Sequence, residues 1–97
     1  MTRSIHRLAA EDLAQAVRFY QNEAGAGLAR RFLNEFERVA QLLEQHPGLG
    51  TPTADGRRAH PLSDFPYSLI YRHEGLELRI LVVRHQSRDP EHGAGRK

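Results

Sequence analysis

Residues 77–85 read ELRILVVRH and carry the strongest β-strand signal in the chain. Successive side chains of a strand point to opposite faces, and here both faces are apolar. One face would present Leu78, Ile80 and Val82, and the other Leu81 and Val83. A strand that is apolar on both faces is covered on both sides. We therefore predict that residues 77–85 form a central strand of a sheet.

Two shorter strands are predicted before it, and tight turns separate the three. Residues 57–62 form the first, although Pro61 places its later part at a sheet edge or at the strand's end. Residues 67–72 form the second, after a turn at Asp-Phe-Pro, residues 64–66. The tripeptide His-Glu-Gly, residues 73–75, makes the next turn. Strands joined by such short turns pair as an antiparallel meander.

The first half of the chain has the periodicity of two amphipathic helices. The apolar stripe of the first is Leu13, Ala16, Val17, Tyr20 and Ala24, and that of the second is Leu28, Phe32, Phe36, Val39, Ala40 and Leu43. Glu11 and Asp12 suit the first turn of the first helix, where the helix dipole favours acids. Gly25 and Gly27 favour a sharp reversal between the helices. Residues 47–56, with two Pro and three Gly, favour a loop.

These elements predict an α+β fold. Residues 3–8 can form a short N-terminal strand around Ile5. The antiparallel two-helix hairpin then packs on one face of the C-terminal antiparallel sheet, because its apolar stripes have no other surface to cover. Ninety-seven residues fit a single domain, which we place at residues 1–90, with a flexible C-terminal tail at residues 91–97.

Composition excludes several classes of protein. The chain has no cysteine, so disulfide scaffolds and cysteine-ligated zinc sites are excluded. Residues 1–10 contain no apolar run like that of a signal peptide. No stretch approaches the roughly 18 apolar residues of a membrane span. We therefore expect a cytoplasmic protein without a membrane partner.

Motifs for metals and cofactors are also missing from the sequence. The six histidines show no His-x-x-x-His spacing, so we predict no metal site. The glycines match neither a P-loop nor a dinucleotide-binding motif, and the serines form no Gly-x-Ser-x-Gly elbow. We predict that the protein uses no cofactor and acts by binding macromolecules.

Basic residues are concentrated in the second half of the chain. Thirteen of the fourteen cationic residues are arginine, and residues 51–97 hold eight of the fourteen. Those at or near the ends of predicted strands are Arg57, Arg58, Arg79, Arg84 and Arg88, with His85 between the last two. Adjacent antiparallel strands can bring the start of one beside the end of another. We predict that these groups form one anion site, for phosphate or for the acidic side chains of a partner protein.

Each of these residues also has a simpler interpretation. The arginine content is equally consistent with a GC-rich genome. Arg79 can be a solvent-exposed residue on a strand face, and Arg57 and Arg58 can simply make the start of a strand soluble. His85 can be a surface or capping histidine rather than a general base. Tyr67 and Tyr71 share a strand face and suit the core, although an exposed tyrosine could stack on a base.

Several motifs together resemble those of a known family. In chain order they are Phe19-Tyr20, Gly27-Leu28-Ala29, Phe32 with Phe36, a loop between Pro47 and Pro52, Gly56-Arg57-Arg58 leading to Leu62, Phe65-Pro66-Tyr67-x-x-x-Tyr71, and Leu81-Val82-Val83-x-His85-x-x-Arg88-x-Pro90. Over nearly its whole length the chain resembles the RelE/ParE toxin superfamily, on the ParE-like or plasmid stabilisation branch. The Phe-Pro-Tyr segment and the His-x-x-Arg-x-Pro ending are fairly specific in combination.

This resemblance implies a toxin of a type II toxin–antitoxin pair, made in the cytoplasm and neutralised by a cognate antitoxin protein. It also implies a fold of two N-terminal helices on an antiparallel sheet. Members of the ParE branch poison DNA gyrase without covalent chemistry of their own. Members of the RelE branch cleave ribosome-bound mRNA with basic residues and often with a C-terminal aromatic residue.

The sequence departs from these patterns near its end. It has no internal lysine, and no aromatic residue follows Tyr71. Glu91-His92-Gly93 stands where ParE-like members commonly carry Tyr or Trp after the proline. We expect a non-enzymatic gyrase poison. The alternative is a ribosome-dependent mRNA endoribonuclease with His85, Arg84 and Arg88 as its catalytic residues. A third hypothesis is a non-toxic member that binds only its antitoxin and contributes to operon repression.

The antitoxin is expected to form a hetero-oligomer with the chain and to fold on binding, as an amphipathic helix or an added strand. We predict that it covers apolar surface on the helix hairpin and the sheet and pairs its acids with the arginines. The residues predicted to bind it are Phe19, Tyr20, Leu28, Phe32, Tyr67 and Tyr71. Gyrase and the ribosome both stay open as targets at this point.

Overall fold

The structure, a computed structural model, describes residues 2–97. In chain order the elements are β1 (Thr2–Ile5), α1 (Arg7–Ala24), α2 (Ala26–Gln45), β2 (Thr51–Pro52), a short 3-10 turn (Ala54–Gly56), β3 (Arg58–Pro61), β4 (Tyr67–Glu74) and β5 (Glu77–His85). The strands form one sheet in the order β1-β5-β4-β3-β2, in which only β1 and β5 are parallel. The predicted α+β fold, with an N-terminal strand and a helix hairpin on a C-terminal meander, is confirmed.

The first helix begins one turn earlier than its acidic residues indicated. α1 starts at Arg7, and the Nδ1 atom of His6 caps it by accepting a hydrogen bond from the backbone N–H of Leu8 at 3.0 Å. Histidine is not among the usual N-cap residues, so this helix start has no recognisable sequence signal. Asp12 therefore lies inside the helix rather than in its first turn, and its side chain is buried.

A single glycine connects the two helices. Gly25 follows α1 directly and precedes α2, and its φ of 89° lies in the left-handed region that glycine adopts without steric cost. Its N–H donates to Gln21 O at 2.9 Å. Gly27, the other glycine predicted for the reversal, is already inside α2. The helices pack against each other, and α1 also packs on β5.

The segment between α2 and β3 is more ordered than the predicted loop. Within residues 47–56, the short strand β2 pairs antiparallel with β3. The Tyr71 hydroxyl donates to Pro47 O at 2.7 Å and accepts from the N–H of Gly50 at 3.0 Å. Tyr71 is fully buried, so these two bonds hold the segment against the core.

β5 contains a β-bulge that changes which side chains share a face. Ile70 of β4 pairs with Val82, and the next residue, Tyr71, pairs with Ile80, so Leu81 is the extra residue. The face prediction for β5 is therefore wrong beyond Ile80. Leu78, Ile80 and Val83 pack toward the helices, whereas Leu81 and Val82 pack on the opposite face with Ile70.

The main core lies between the helix hairpin and the sheet. Its centre is a set of aromatic rings whose contacting centroids are 5.1–6.2 Å apart: Tyr20, Phe32, Phe65 and Tyr67. Edge-on and tilted ring contacts add to the stabilisation from burial. The opposite face of the sheet, called the outer face below, carries the smaller apolar cluster of Ile70, Leu81 and Val82.

The residues after β5 form a series of turns that crosses the outer face. Backbone N–H groups of Arg88, His92 and Ala94 each donate to the carbonyl three residues earlier, at 2.9–3.0 Å. Gly93, with a φ of 82°, lies directly against the side chain of Val82. Residues 90–97, called the tail segment below, thus cover part of the apolar outer cluster. The domain boundary at residue 90 and the flexibility of residues 91–97 stay predictions.

Candidate functional site

The predicted arginine site divides between the two faces of the sheet. Adjacent residues of a strand point to opposite faces, so Arg57 separates from Arg58, and Arg84 from His85. Arg57, Arg79 and Arg84 lie on the outer face, where all three contact the tail segment. The structure therefore brings three of the five predicted arginines to the outer face. Arg58 and Arg88 do not join them there.

Arg57 is buried under the tail segment, with 8% of its surface exposed. Its Nη1 donates to Gly93 O at 2.9 Å, and its Nη2 donates to Ala94 O at 2.8 Å and to Arg96 O. Burial lowers the pKa of the Arg57 guanidinium, and the charges of Arg72 and Arg96 lower it further, against an opposing effect of the nearby Asp55 carboxylate. Three backbone carbonyls thus surround a buried cation.

The other two outer-face arginines donate to the two ends of the tail segment. Arg84 Nη1 donates to Pro90 O at 3.0 Å, and Arg79 Nε donates to Lys97 O at 3.1 Å. Arg79 also donates to the hydroxyl of Ser4 on β1 at 3.2 Å. The outer-face arginines predicted to bind phosphate are thus occupied, in this conformation, by carbonyl oxygens of the same chain.

Arg58 has a different contact, with the segment between α2 and β2. Its Nη1 donates to Gly50 O at 2.8 Å and to Gly48 O at 3.2 Å. Tyr71 holds the same segment from the core side. Arg58 therefore stabilises this segment and does not join the outer-face arginines.

A groove of about 370 Å³ opens between α1 and the end of β5. Its lining residues are Asp12, Gln15, Ala16, Phe19, Tyr67, Val83, His85, Ser87 and Arg88. Phe19 leaves 53% of its surface exposed, and Arg88 is exposed as well. Exposed aromatic rings next to a cavity are typical of binding sites. This groove, called the α1–β5 groove below, offers a partner an apolar ring beside an exposed cation.

His85 and Arg88 share this groove, but Arg84 does not. The His85 ring packs edge-on against Tyr67, with ring centroids 5.0 Å apart. Its Nδ1 atom lies 3.0 Å from the backbone nitrogen of Ser87 and 2.8 Å from the Ser87 hydroxyl. Arg84 points instead to the outer face, so the three residues predicted for a ribonuclease lie on two sides of β5.

The six residues predicted to bind the antitoxin are mostly in the core. Tyr20, Phe32, Tyr67 and Tyr71 each expose 9% or less of their surface. Phe19 is exposed, and Leu28 is partly buried against the core. Of the predicted set, Phe19 is therefore the residue that a partner can contact most extensively without unfolding the chain.

Asp12 forms a buried polar cluster that the sequence prediction missed. Its Oδ2 accepts from the N–H of Val83 at 3.2 Å and from Arg96 Nη1 at 2.6 Å, and His92 Nε2 lies 3.0 Å from its Oδ1. Burial alone would raise the pKa of the Asp12 carboxyl, but these bonds and the Arg96 charge hold it below its ordinary value.

A sequence signal for this cluster did exist. Asp12, Ala16 and Tyr20 are spaced four residues apart and lie on the buried side of α1. A carboxylate on an apolar stripe needs a cationic or hydrogen-bonding partner. The sequence therefore predicts that Asp12 forms a buried ion pair, but it does not identify Arg96 as the partner of Asp12.

Two further properties concern the whole of the described chain. Residues 2–97 contain no group of three or more His, Asp or Glu side chains arranged to hold a metal ion. No helix among the same residues has the length and apolarity needed to cross a membrane.

The comparisons with known proteins agree with the fold and with the motifs. Residues 4–90 match the family model described as the ParE toxin of the type II toxin–antitoxin system parDE. A search of curated proteins finds no match. One similar solved structure is titled "Chromosomal ParDE TA system from P. aeruginosa": it is 27% identical, with a TM-score of 0.78, over 88% of this chain and 95% of that chain. Because the family model spans most of the sequence, the chain belongs to the ParE toxin family of type II toxin–antitoxin systems.

Proposed function

We propose that this ParE-family toxin inhibits DNA gyrase by binding, without covalent chemistry of its own, and that a cognate antitoxin neutralises it. Family membership supports a toxin with an antitoxin partner. The similar structure from P. aeruginosa is, by its title, a ParDE system, which supports the same partner class. A gyrase target would place the toxin's action in the cytoplasm.

The observation that carries the proposal is the separation of Arg84 from His85. Cleavage of RNA by its own 2′-hydroxyl needs a base, an acid and phosphate-stabilising cations around one phosphate. His85 lies in the α1–β5 groove, whereas Arg84 and Arg57 contact the tail segment on the outer face. One phosphate cannot contact both sets across the sheet, and this geometry favours a binding poison over a ribonuclease.

The α1–β5 groove is the surface that we assign to macromolecular contact. Phe19 supplies an exposed aromatic anchor, and Arg88 supplies a cation that no packing hides. Aromatic and arginine side chains are the residues that most often dominate binding energy at interfaces. An antitoxin segment that places an apolar side chain on Phe19 and a carboxylate near Arg88 would cover this surface.

The proposal is tested by two assays on the same purified toxin. Gyrase supercoiling, with detection of gyrase-linked DNA breaks, is measured beside cleavage of ribosome-bound mRNA. We expect gyrase inhibition without mRNA cleavage, and we expect equimolar antitoxin to abolish the inhibition. Cleavage of mRNA that is lost in His85→Ala would instead establish the ribonuclease. Neither activity, with antitoxin binding intact, would establish a non-toxic member.

Variants of the groove locate the contact with the target. Arg88→Gln removes the exposed cation and should weaken gyrase inhibition about tenfold or more, as loss of one charge-assisted contact does. Arg18→Gln is the matched control, because Arg18 is also exposed but lies outside the groove lining. Equal inhibition by both variants and the wild type would remove the groove from the proposal.

A further inference from the structure

The tail segment occupies the outer face mainly through its backbone. Five carbonyls accept hydrogen bonds from the outer-face arginines: those of Pro90, Gly93, Ala94, Arg96 and Lys97. Beneath them lies the apolar cluster of Ile70, Leu81 and Val82. Although the tail segment is folded into turns, it shares two features with a bound peptide ligand: its carbonyls are paired, and an apolar floor lies beneath it.

Arg57 is incompletely satisfied by this arrangement. Its Nε is buried and has no hydrogen-bond partner within residues 2–97. The ion pairs formed by the same residues do not include it. A buried guanidinium is stabilised more strongly by a carboxylate, which accepts two parallel bonds, than by neutral carbonyls. The docked tail therefore leaves unused affinity for an anion.

The outer face also has room next to the tail segment. An opening of about 300 Å³ is lined by Arg57, Arg84, Ile70 and Pro90, among others. Its lining also includes the acids Asp55 and Glu91, and Glu91 belongs to the tail segment and would leave with it. Apolar and guanidinium groups side by side suit a protein segment that carries both carboxylates and apolar side chains. They suit a nucleic-acid backbone less well, since it has no apolar side chains to place on Ile70.

The tail segment is held along its length by contacts with side chains and takes no part in the strand pairing of the described residues, so its release leaves the pairing of the sheet intact. Two of its side chains, those of His92 and Arg96, attach it to α1 by contacting Asp12. Its approach to the sheet depends on Gly93, because a Cβ at that position would overlap the Val82 side chain. Residues 86–89, which connect it to β5, are all exposed. These exposed residues can act as the hinge.

We propose that the tail segment occupies a peptide-binding face in cis, and that an acidic segment of a protein partner displaces it to reach Arg57, Arg79 and Arg84. The partner's carboxylates replace the tail carbonyls, and its apolar side chains replace the cover over Val82. This inference concerns the outer face and does not rest on the gyrase proposal. It is structurally linked to the α1–β5 groove, because Asp12, which holds the tail segment, and the hinge residues Ser87 and Arg88 also line that groove.

The test follows the tail directly with a spin label. The chain has no cysteine, so Lys97→Cys provides one labelling site on the tail, and its backbone carbonyl is retained. The probe is the peptide Glu-Val-Glu-Val-Glu-Val-Glu, and the control peptide has lysine in place of glutamate. We expect the acidic peptide to raise the mobile fraction of the label saturably and the lysine peptide to leave it unchanged. A label at Leu76→Cys, in the exposed β4–β5 turn, should not respond.

Two sets of variants change the affinity for the acidic peptide in opposite directions. Gly93→Ala weakens docking of the tail, so it should tighten peptide binding about tenfold, because the apparent affinity scales with the open fraction. Gly27→Ala is the matched control, since an added Cβ there meets no atom of the described residues within 4 Å. The double variant Arg79→Gln and Arg84→Gln should weaken binding about tenfold.

Three results would overturn the proposal. The first is a label that stays immobile at saturating acidic peptide. The second is equal peptide affinity in the wild type and Gly93→Ala when both keep the same circular dichroism spectrum. The third is displacement of the tail by single-stranded oligothymidylate and not by the peptide, since the face would then bind a different class of polymer. Because Gly93→Ala removes no contact of the sheet, it remains informative if the arginine variants fail to fold.

Discussion

The Arg96 guanidinium donates to the Asp12 carboxylate at 2.6 Å, which joins two residues that are 84 positions apart in the sequence. The same guanidinium donates to Leu81 O at 3.0 Å, and the same carboxylate accepts from the N–H of Val83. The ion pair therefore satisfies the carbonyl of the bulged residue, Leu81, and the backbone N–H of Val83, two residues later. It connects α1, the irregular part of β5 and the tail segment.

Asp12→Ala should destabilise the fold by about 3 kcal/mol, because it leaves the partners of a buried ion pair unpaired. The loss should appear in urea denaturation as a lower midpoint with an unchanged slope. Glu11→Ala is the control: Glu11 pairs with Arg7 on the exposed side of α1, and such pairs contribute about 0–1 kcal/mol. Equal losses in the two variants would mean that the Asp12 cluster has no special role.

The contribution of Asp12 to stability should depend on pH in one direction. Arg96, His92 and the N–H of Val83 face the carboxylate, and after the opposing effect of burial its pKa lies below the ordinary value. A carboxyl group whose pKa is lower in the folded state stabilises that state at pH values above its unfolded pKa of about 3.9. This stabilisation is lost as the pH falls through the folded pKa. The difference in unfolding free energy between wild type and Asp12→Asn should therefore shrink below about pH 4.

Urea titrations at several pH values measure this difference. The titrations are repeated in the His92→Gln background, so that the His92 side chain does not contribute to the measured difference in unfolding free energy. A difference that persists unchanged at pH 2 would contradict the assignment of the effect to Asp12.

Most of the fold could be predicted because its signals are local. The apolar stripes of α1 and α2 and the run at residues 77–85 each lie within one element, and β5 has the predicted bounds. The bulge at Leu81 could not be predicted from β5 alone, because the groups that satisfy it, Asp12 and Arg96, come from outside the strand.

The candidate site was less predictable, although part of the signal was available. Strand periodicity alone places Arg57 and Arg58, and likewise Arg84 and His85, on opposite faces of the sheet. These residues therefore could not all belong to the single anion site that was predicted. Occupation of the outer-face arginines by the tail segment had no comparable signal. The contacts are to backbone carbonyls, which every residue carries, so no side-chain pattern marks them.

Tyr71→Phe should destabilise the fold by about 1–3 kcal/mol, because a buried N–H and a carbonyl lose their partner. The groups affected are the Gly50 N–H and Pro47 O, at 3.0 and 2.7 Å from the hydroxyl. Tyr20→Phe is the matched control, since the structure gives the Tyr20 hydroxyl no hydrogen bond within residues 2–97. Urea denaturation of the two variants should separate them, and equal midpoints would contradict the assigned role.

Gly50→Ala tests the same contact from the other side. A Cβ on Gly50 would lie 2.6 Å from the Tyr71 hydroxyl oxygen, closer than packed atoms approach. We expect a loss of about 1–3 kcal/mol, the usual cost of overpacking a buried site. At Gly48, two residues earlier, an added Cβ meets no described atom within 4 Å, so Gly48→Ala should leave the melting temperature nearly unchanged. A similar shift in both variants would indicate a general effect of alanine in this segment.

Phe19→Ser should weaken antitoxin binding while leaving the fold intact. Phe19 exposes 53% of its surface, so the folded state loses little burial when the ring is removed. Aromatic anchors at interfaces often account for about 2 kcal/mol or more, and we therefore expect the dissociation constant to rise at least about thirtyfold. Leu76→Ser is the control, because Leu76 is 78% exposed at the other end of β5. Isothermal titration of each variant with the antitoxin measures the change. Unchanged affinity in Phe19→Ser would move the antitoxin contact away from the α1–β5 groove, and an equal loss in Leu76→Ser would show that exposed apolar surface in general drives the association.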